Sequence, residues 1–213
     1  DVAAGIRTNT KQLIAKGALT EEELASRLSR ISFTTDLDSE LVRRADLVIE
    51  AVFEDMKIKR ETFAKLEARC RPDTIFCTNS SVMSPSEISA ELRHRERFVG
   101  THFWNPGHLI PLVEVCGSPA SDPNAIRRAK ELYQDAGKEA IVARKEKSGS
   151  IVNRLSWAAN AEAKQTVVEG ICSVEEMDKA IIYGPGLRMA VLGQITTIGI
   201  GMGPNGYYDS VVK

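Results

Sequence analysis

The sequence predicts an α/β fold in which a doubly wound parallel sheet is followed by an α-helical second domain. Apolar, strand-like runs alternate with helical patterns from Ile31 to about Ala143, an order typical of parallel sheets covered by helices. A polar, glycine-containing segment follows at Lys145–Gly149, and beyond it the patterns are helical. We therefore expect residues 1–145 to form the first domain and residues 146–213 the second.

The chain begins with a helical pattern over residues 1–30 that is interrupted at Lys16–Leu19. Thr20 follows this interruption and precedes three glutamates. A threonine followed by acidic residues favours an N-cap with a negatively charged first helical turn. We therefore expect two helical arms before the sheet.

The remaining elements follow from apolar runs and from the turn residues that flank them. Strands are predicted over Asp46–Val52, Thr74–Thr78, Phe98–Phe103, Leu109–Val115 and Glu139–Ala143. Helices of the first domain are predicted to begin at Ser84–Pro85 and Asp122–Pro123. Helical patterns in the second domain cover Ile151–Glu169 and Ser173–Tyr183.

Composition excludes several classes of function. The 213 residues include 28 basic and 29 acidic side chains that are interspersed along the chain, so no nucleic-acid partner is predicted. No apolar run reaches the length of a membrane span. The cysteines lack Cys-x-x-Cys spacing, so we expect no metal site and free, buried thiols in a reducing cytoplasm. They are Cys70, Cys77, Cys116 and Cys172.

His102 and Glu114 are the candidate proton-transfer pair. His102 lies near the end of the predicted strand Phe98–Phe103, where ligands gather in open α/β sheets. The run Leu109–Val115 returns as a strand and would bring Glu114 back towards the imidazole. A carboxylate that accepts one imidazole N–H fixes the tautomer and leaves the other nitrogen to act as a general base. A histidine beside aromatic residues is also compatible with a purely structural position in the core.

Four motifs extend this interpretation: Asp46–Lys59, Thr74–Ser81, Gly100–Pro106 and Ser150–Leu155. In this order and at these intervals they resemble the 3-hydroxyacyl-CoA dehydrogenase family, and the resemblance runs through nearly the whole chain. It implies a Rossmann-type sheet, NAD as the cofactor and a role in fatty acid metabolism. The implied reaction is a reversible hydride transfer between NAD and a 3-hydroxyacyl-CoA, which gives the 3-ketoacyl-CoA.

The resemblance also implies roles for individual residues. His102 matches the catalytic base of the family, and Glu114 matches the carboxylate that orients this base. Ser81 and Asn153 match the polar residues that bind the reacting oxygen of the substrate. Four further residues match positions on the nicotinamide ribose side of the NAD site: Ala51, Glu54, Lys59 and Asn105.

The amino terminus departs from the family pattern. A dinucleotide fold needs a first strand, a glycine turn and an acidic residue about twenty positions further on. Asp1–Ile6 begins directly in what resembles the helix after the family's second strand, so we expect the first strand and glycine loop to be missing from this sequence. The alternative to an enzyme is a non-catalytic fragment without the cofactor loop. Gly201–Gly206 matches G-x-G-x-x-G, but only Tyr207–Lys213 follows, so we expect a loop there.

The segment Gly184–Arg188 bears on the substrate. Its Gly-Leu-Arg ending resembles relatives that oxidise small free 3-hydroxy acids, such as carnitine or gulonate dehydrogenases. Arg188 could bind a substrate carboxylate through two hydrogen bonds, or it could cap carbonyl groups at a helix end. Because four motifs indicate the family and one residue the free-acid branch, the acyl-CoA class ranks first. The resemblance also implies a homodimer, and Trp104 and Trp157 are expected in the core or at a domain interface.

Overall fold

The computed structural model describes residues 2–201, and the chain divides into two compact units between Asn153 and Arg154. Unit 1 begins with helices α1 (Val2–Ala15) and α2 (Glu21–Leu28). The Thr20 hydroxyl accepts the Glu23 N–H at 3.1 Å, while the Glu23 carboxylate accepts the Thr20 N–H at 2.8 Å. This reciprocal cap satisfies two backbone donors at the start of α2. The two predicted helical arms are confirmed.

Helices and strands alternate through the rest of unit 1. In chain order they are α3 (Glu40–Arg43), β1 (Leu47–Glu50), α4 (Met56–Glu67), β2 (Ile75–Thr78), α5 (Pro85–Ile88), β3 (Phe98–Phe103), β4 (Leu112–Gly117), α6 (Pro123–Asp135) and β5 (Glu139–Ala143). Pro85 and Pro123 open α5 and α6, as predicted, at a position where the missing N–H of proline costs no hydrogen bond.

The strands form one sheet in the order β1-β2-β3-β4-β5. The β1–β2, β2–β3 and β4–β5 pairs are parallel, whereas β3 and β4 are antiparallel. The expectation of a parallel sheet is therefore wrong for this one pair. A parallel crossover needs a dozen or more residues. The connection here is only residues 104–111, so the chain returns as a hairpin.

Helices cover both faces of the sheet, which makes it doubly wound. On one face, Tyr133 of α6 joins a core cluster that includes Val99 of β3. On the other face, Phe63 of α4 meets Phe98 of β3 edge to face, with 4.7 Å between ring centroids. Val99 and Phe98 are neighbours in sequence and point to opposite faces because side chains alternate along a strand.

The antiparallel register places His102 directly opposite Glu114. Residues directly opposite in an antiparallel pair have their side chains on the same face, with Cβ atoms about 5 Å apart. The short hairpin therefore brings the histidine and the carboxylate together.

The four cysteines are free, with Cys77 and Cys116 buried in β2 and β4 and the other two partly buried. Burial raises the pKa of the Cys77 thiol to about 12 and that of Cys116 to about 11. Both thiols are therefore protonated at neutral pH, which makes them poor nucleophiles.

The helices of the second domain are α7 (Val152–Val168), α8 (Val174–Ile181), α9 (Leu187–Val191) and α10 (Gln194–Gly201). Gly186, between α8 and α9, must lack a side chain because a Cβ there would lie 2.7 Å from the Ile181 carbonyl oxygen. None of α7, α8 and α9 contains a buried residue. Within residues 2–201, no helix is both long and apolar enough to span a membrane. Apart from Gly201, the glycine-rich segment Gly201–Gly206 lies outside the described residues.

Candidate active site

His102 and Glu114 form a hydrogen-bonded pair on the β3–β4 hairpin. Nδ1 of His102 lies 3.0 Å from Oε2 of Glu114. The Glu114 side chain is fully buried, whereas 12% of the His102 side chain is exposed. The imidazole also lines an open pocket together with Ser81 and Ser150. One ring nitrogen therefore meets a shielded carboxylate, and the ring itself reaches the pocket.

Glu114 accepts four hydrogen bonds, two on each carboxylate oxygen. Oε2 accepts the ring N–H of His102 at 3.0 Å and the indole N–H of Trp104 at 3.3 Å. Oε1 accepts the backbone N–H groups of Ile151 at 2.9 Å and Val152 at 3.0 Å. Burial alone would raise the pKa of the Glu114 carboxyl, but these hydrogen bonds, led by that from His102, lower it to about 2. Glu114 is therefore negatively charged at neutral pH.

A turn in front of α7 aims the two backbone N–H groups at Glu114. Gly149 has a φ of 75° and Ser150 a φ of 46°. Glycine adopts such angles freely, whereas serine is strained there by about 1 kcal/mol. The first N–H groups of a helix have no partner within the helix and carry the positive end of its dipole. The buried carboxylate of Glu114 is thus a favourable partner for the start of α7.

The charge on Glu114 fixes the tautomer of His102. An ionised carboxylate can only accept hydrogen bonds, so the shared proton belongs to Nδ1 of the ring. Nε2 then carries a lone pair, and it lies 3.1 Å from the Ser81 hydroxyl, which donates to it. Ser81, His102 and Glu114 form a continuous series of hydrogen bonds. In this arrangement Nε2 can take up a proton from a bound hydroxyl group, while Glu114 stabilises the imidazolium that forms.

The structure brings Ser81 and Asn153 into the same cluster as His102. The side-chain amide of Asn153 donates to the Ser81 carbonyl oxygen at 3.5 Å. Asn79 fixes the loop after β2, because its Oδ1 accepts the backbone N–H of Phe103 at 2.9 Å. The loop that carries Ser81 is thereby tied to the strand that carries His102.

Lys59 lies inside the protein between two carboxylates. Its side chain is 1% exposed, and its Nζ lies 2.8 Å from Glu50 and 3.1 Å from Glu54. Glu50 also accepts the Thr78 hydroxyl at 2.7 Å, and Glu54 accepts the Ser80 hydroxyl. This network connects the loop after β1 to the end of β2 and the loop that follows it. Any influence of Lys59 on a bound cofactor would pass through Glu54.

The other predicted cofactor contacts are open to solvent. Ala51 follows β1 and Asn105 follows β3, and both are exposed. The Glu54 side chain is 39% exposed. Burial would raise the pKa of Glu54, but hydrogen bonds from Ser80 and Lys59 lower it overall. A charged carboxylate and an exposed amide therefore lie beyond the carboxyl ends of β1 and β3, the two strands that flank β2.

Arg188 belongs to unit 2, where it is exposed in α9. Among residues 2–201, the guanidinium of Arg188 has no hydrogen-bond or ion-pair partner. The contact expected of an arginine that caps a helix end is thus absent from the described part of the chain.

Several contributors to the site were not predicted from the sequence. Trp104, expected in the core or at an interface, is partly buried and donates its indole N–H to Glu114. Glu146 accepts the Ser86 backbone N–H at 3.0 Å and holds the segment before the Ser150 turn. Two signals could have indicated them: Trp104 lies two residues after His102, on the same side of an extended segment, and Gly149–Ser150 directly precedes a helix.

The fold and the site define a dinucleotide-binding α/β domain that carries a histidine–glutamate pair. Comparison with known families agrees with this class. Residues 1–147 match the NAD binding domain of 3-hydroxyacyl-CoA dehydrogenase, and residues 149–211 match the C-terminal domain of the same enzymes. The chain belongs to the 3-hydroxyacyl-CoA dehydrogenase family, as its motifs predict, and NAD is the cofactor of its first domain.

Individual relatives fall into two substrate groups. An L-carnitine dehydrogenase of Pseudomonas sp is 35% identical over 97% of this chain and 65% of its own length. A 3-hydroxyacyl-CoA dehydrogenase of Gibberella moniliformis is 37% identical over 84% of this chain and 56% of its own length. The crystal structure of M. tuberculosis FadB2 superimposes with a TM-score of 0.80 and 32% identity, covering 86% of this chain and 64% of that one. The chain thus spans somewhat less than two thirds of each of these relatives.

The pH dependence of folding tests the ionisation of Glu114. Its folded pKa of about 2 lies below the ordinary value of 4.5, so the carboxylate contributes stability above about pH 4.5 that is lost as the pH falls towards 2. Glu114→Gln should remove this contribution, which is on the order of 3 kcal/mol. Urea unfolding of both proteins between pH 7 and pH 3 should therefore show a stability difference that shrinks as the pH falls.

Glu139→Gln provides the control, because Glu139 is an exposed carboxylate at the start of β5. This variant should follow the pH dependence of the wild type. A stability difference between the wild type and Glu114→Gln that stays constant from pH 7 to pH 3 would contradict the ionised, hydrogen-bonded state of Glu114.

Proposed function

We propose that this protein is an NAD-dependent dehydrogenase that oxidises the 3-hydroxyl group of a small-molecule substrate to a ketone. One observation carries the proposal: the hydrogen-bonded series from buried Glu114 through His102 to Ser81, at the edge of an open pocket. Removing the proton of a hydroxyl group requires such a base with a fixed tautomer. We assign residues 1–145 to cofactor binding and residues 146–213 to the helical domain.

The residues after β1 and β3 fit the nicotinamide side of NAD. The partly exposed carboxylate of Glu54 can accept hydrogen bonds from ribose hydroxyls, and the exposed amide of Asn105 can both donate and accept. The exposed backbone of Ala51 leaves room for a close approach. Buried Lys59 acts as a positioning residue that keeps Glu54 charged and in place. When bound, NAD supplies the acceptor for the hydride that leaves C3 of the substrate.

His102 is the base in this mechanism. Its Nε2 takes the proton of the substrate hydroxyl, while its Nδ1–H stays on Glu114, whose charge stabilises the imidazolium. The Ser81 hydroxyl and the Asn153 amide hold the reacting oxygen by donating hydrogen bonds. In the reverse direction, the imidazolium returns the proton and the same donors stabilise negative charge on the carbonyl oxygen.

For the substrate, we favour a small free 3-hydroxy acid. The exposed guanidinium of Arg188 supports this choice because it can bind a carboxylate through two hydrogen bonds, which a thioester does not offer. The similarity to L-carnitine dehydrogenase over 97% of the chain points the same way. The second candidate is a 3-hydroxyacyl-CoA, favoured by the Gibberella relative and by the catalytic motifs.

We also propose that the protein acts as a homodimer through its helical domain. Support comes from the apolar side chains that α7, α8 and α9 leave exposed, among them Val168 at 80% and Val191 at 84%. Apolar surface of this kind is normally covered by a partner. In a two-fold homodimer, the same helices of the second copy would cover this surface.

Replacing His102 tests the proposed base. His102→Gln keeps an amide that can hydrogen-bond Glu114 but cannot take the substrate proton, so kcat should fall by roughly 10²–10⁴-fold. NADH binding, followed by fluorescence, should remain. His94→Gln, which removes an exposed histidine from the loop before β3, should retain wild-type kcat. A His102→Gln enzyme with activity within a few fold of the wild type would exclude His102 as the base.

Arg188 tests the substrate class. If Arg188 binds a substrate carboxylate, Arg188→Met should raise KM for free 3-hydroxy acids such as carnitine by roughly 10–100-fold, because a charged hydrogen bond contributes about 1.5–3 kcal/mol. Any turnover of 3-hydroxyacyl-CoA should change little. Steady-state NADH formation with both substrate classes measures the two effects.

Arg127→Met is the matched control, since Arg127 is an exposed arginine on α6 that pairs with Glu131. It should leave both KM values unchanged. Unchanged kinetics of Arg188→Met with free acids would assign Arg188 a structural role and leave the acyl-CoA class as the better proposal.

A further inference from the structure

Trp104 shares one oxygen of Glu114 with His102. The indole N–H of Trp104 lies 3.3 Å from Oε2, and Nδ1 of His102 lies 3.0 Å from the same atom. The other oxygen, Oε1, is occupied by the backbone N–H groups of Ile151 and Val152. The indole and the imidazole therefore donate to the same carboxylate oxygen and occupy its two lone pairs between them.

The position of Trp104 follows from the strand. Side chains two residues apart in an extended segment lie on the same side, and His102 and Trp104 are two residues apart at the end of β3. Glu114 faces His102 across the hairpin, so the next side chain on that side also meets its carboxylate. The indole bond is among the causes that lower the pKa of Glu114.

Each donor on a carboxylate oxygen reduces the electron density available to the other. The more strongly the indole N–H binds Oε2, the less this oxygen stabilises positive charge on the imidazole. We propose that Trp104 is a positioning residue that shares Oε2 of Glu114 with His102, withdraws electron density from that oxygen and thereby lowers the basicity of the imidazole. Its consequence for catalysis rests on the proposed function, whereas its effect on the imidazole does not.

Other titratable groups around His102 are compatible with this assignment. Cys116 on β4 lines the same pocket, as do Glu146 and Lys147 in the segment after β5. Tyr133 of α6 contacts β3 through the Thr101 hydroxyl at 3.1 Å. Burial raises the pKa of both Cys116 and Tyr133, so neither changes charge near neutral pH. Glu146 is held by the Ser86 backbone N–H on α5.

Histidine titration by NMR tests the proposal without cofactor or substrate. The sequence has only three histidines, and the missing signal of His102→Gln identifies the one of interest. Trp104→Phe removes the indole N–H and keeps an aromatic ring. The titration midpoint of the His102 imidazole should rise by about 0.5–1 pH unit, the equivalent of one hydrogen bond. Trp157→Phe, which removes the other tryptophan, should leave the titration midpoint of His102 unchanged. An unchanged or lower midpoint in Trp104→Phe overturns the proposal.

A second measurement covers the case in which Trp104→Phe does not fold. Replacing both tryptophans with 5-fluorotryptophan keeps the shape of the indole and makes its N–H a stronger donor. The His102 midpoint should then move downward, opposite to the effect of Trp104→Phe. No movement overturns the proposal.

Kinetics distinguish this role from simple packing. In the active enzyme, the acidic limb of the pH profile of kcat/KM should move upward in Trp104→Phe together with the NMR midpoint. A fall in kcat with an unmoved acidic limb would assign Trp104 to packing only and contradict the proposal. An enzyme with no NADH formation on any 3-hydroxy substrate would instead remove the proposed function, and the NMR result would still stand.

Discussion

The site depends on one buried negative charge, the carboxylate of Glu114. A buried carboxylate without partners is strongly unfavourable, and here four N–H donors compensate it. The donors come from the end of β3 and from the start of α7, so satisfying one charge fixes the relative positions of two segments far apart in sequence. His102 gains its orientation and tautomer from the same contacts. Removing the charge would therefore disturb the base and the start of the helical region together.

The topology explains why this charge can be buried where it is. The short β3–β4 hairpin sets His102 opposite Glu114, and the Gly149–Ser150 turn delivers two helix N–H groups to the second oxygen. A second buried charge, the ammonium of Lys59 between Glu50 and Glu54, organises the ends of β1 and β2 in the same way. The two networks have different roles in the site: one orients the base, and the other holds the loops proposed to meet NAD.

Much of this arrangement could be predicted from the sequence, because the motifs consist of the functional side chains themselves. The order of strands and helices and the proximity of His102 and Glu114 follow from patterning and from the family resemblance. The return of Leu109–Val115 towards His102 is also predicted, but the description of the sheet as parallel is wrong for this pair because it follows the general alternation of strands and helices and leaves out the short β3–β4 connection. A backbone donor such as the N–H of Ile151 cannot be recognised in a sequence, because every residue except proline has one. Ile151 is also 37 positions from Glu114, the residue to which it donates. The burial of Lys59 was likewise hidden, since lysine is normally a surface residue.

The tautomer of His102 is the most direct test of the central claim that ionised Glu114 orients the base. Long-range ¹H–¹⁵N correlation spectra of the protein at neutral pH report which ring nitrogen carries the proton. An ionised Glu114 requires a protonated Nδ1 and an unprotonated Nε2 that accepts from Ser81. Replacing Glu114 with glutamine should weaken this preference. A neutral ring with its proton on Nε2 in the wild type would contradict the account.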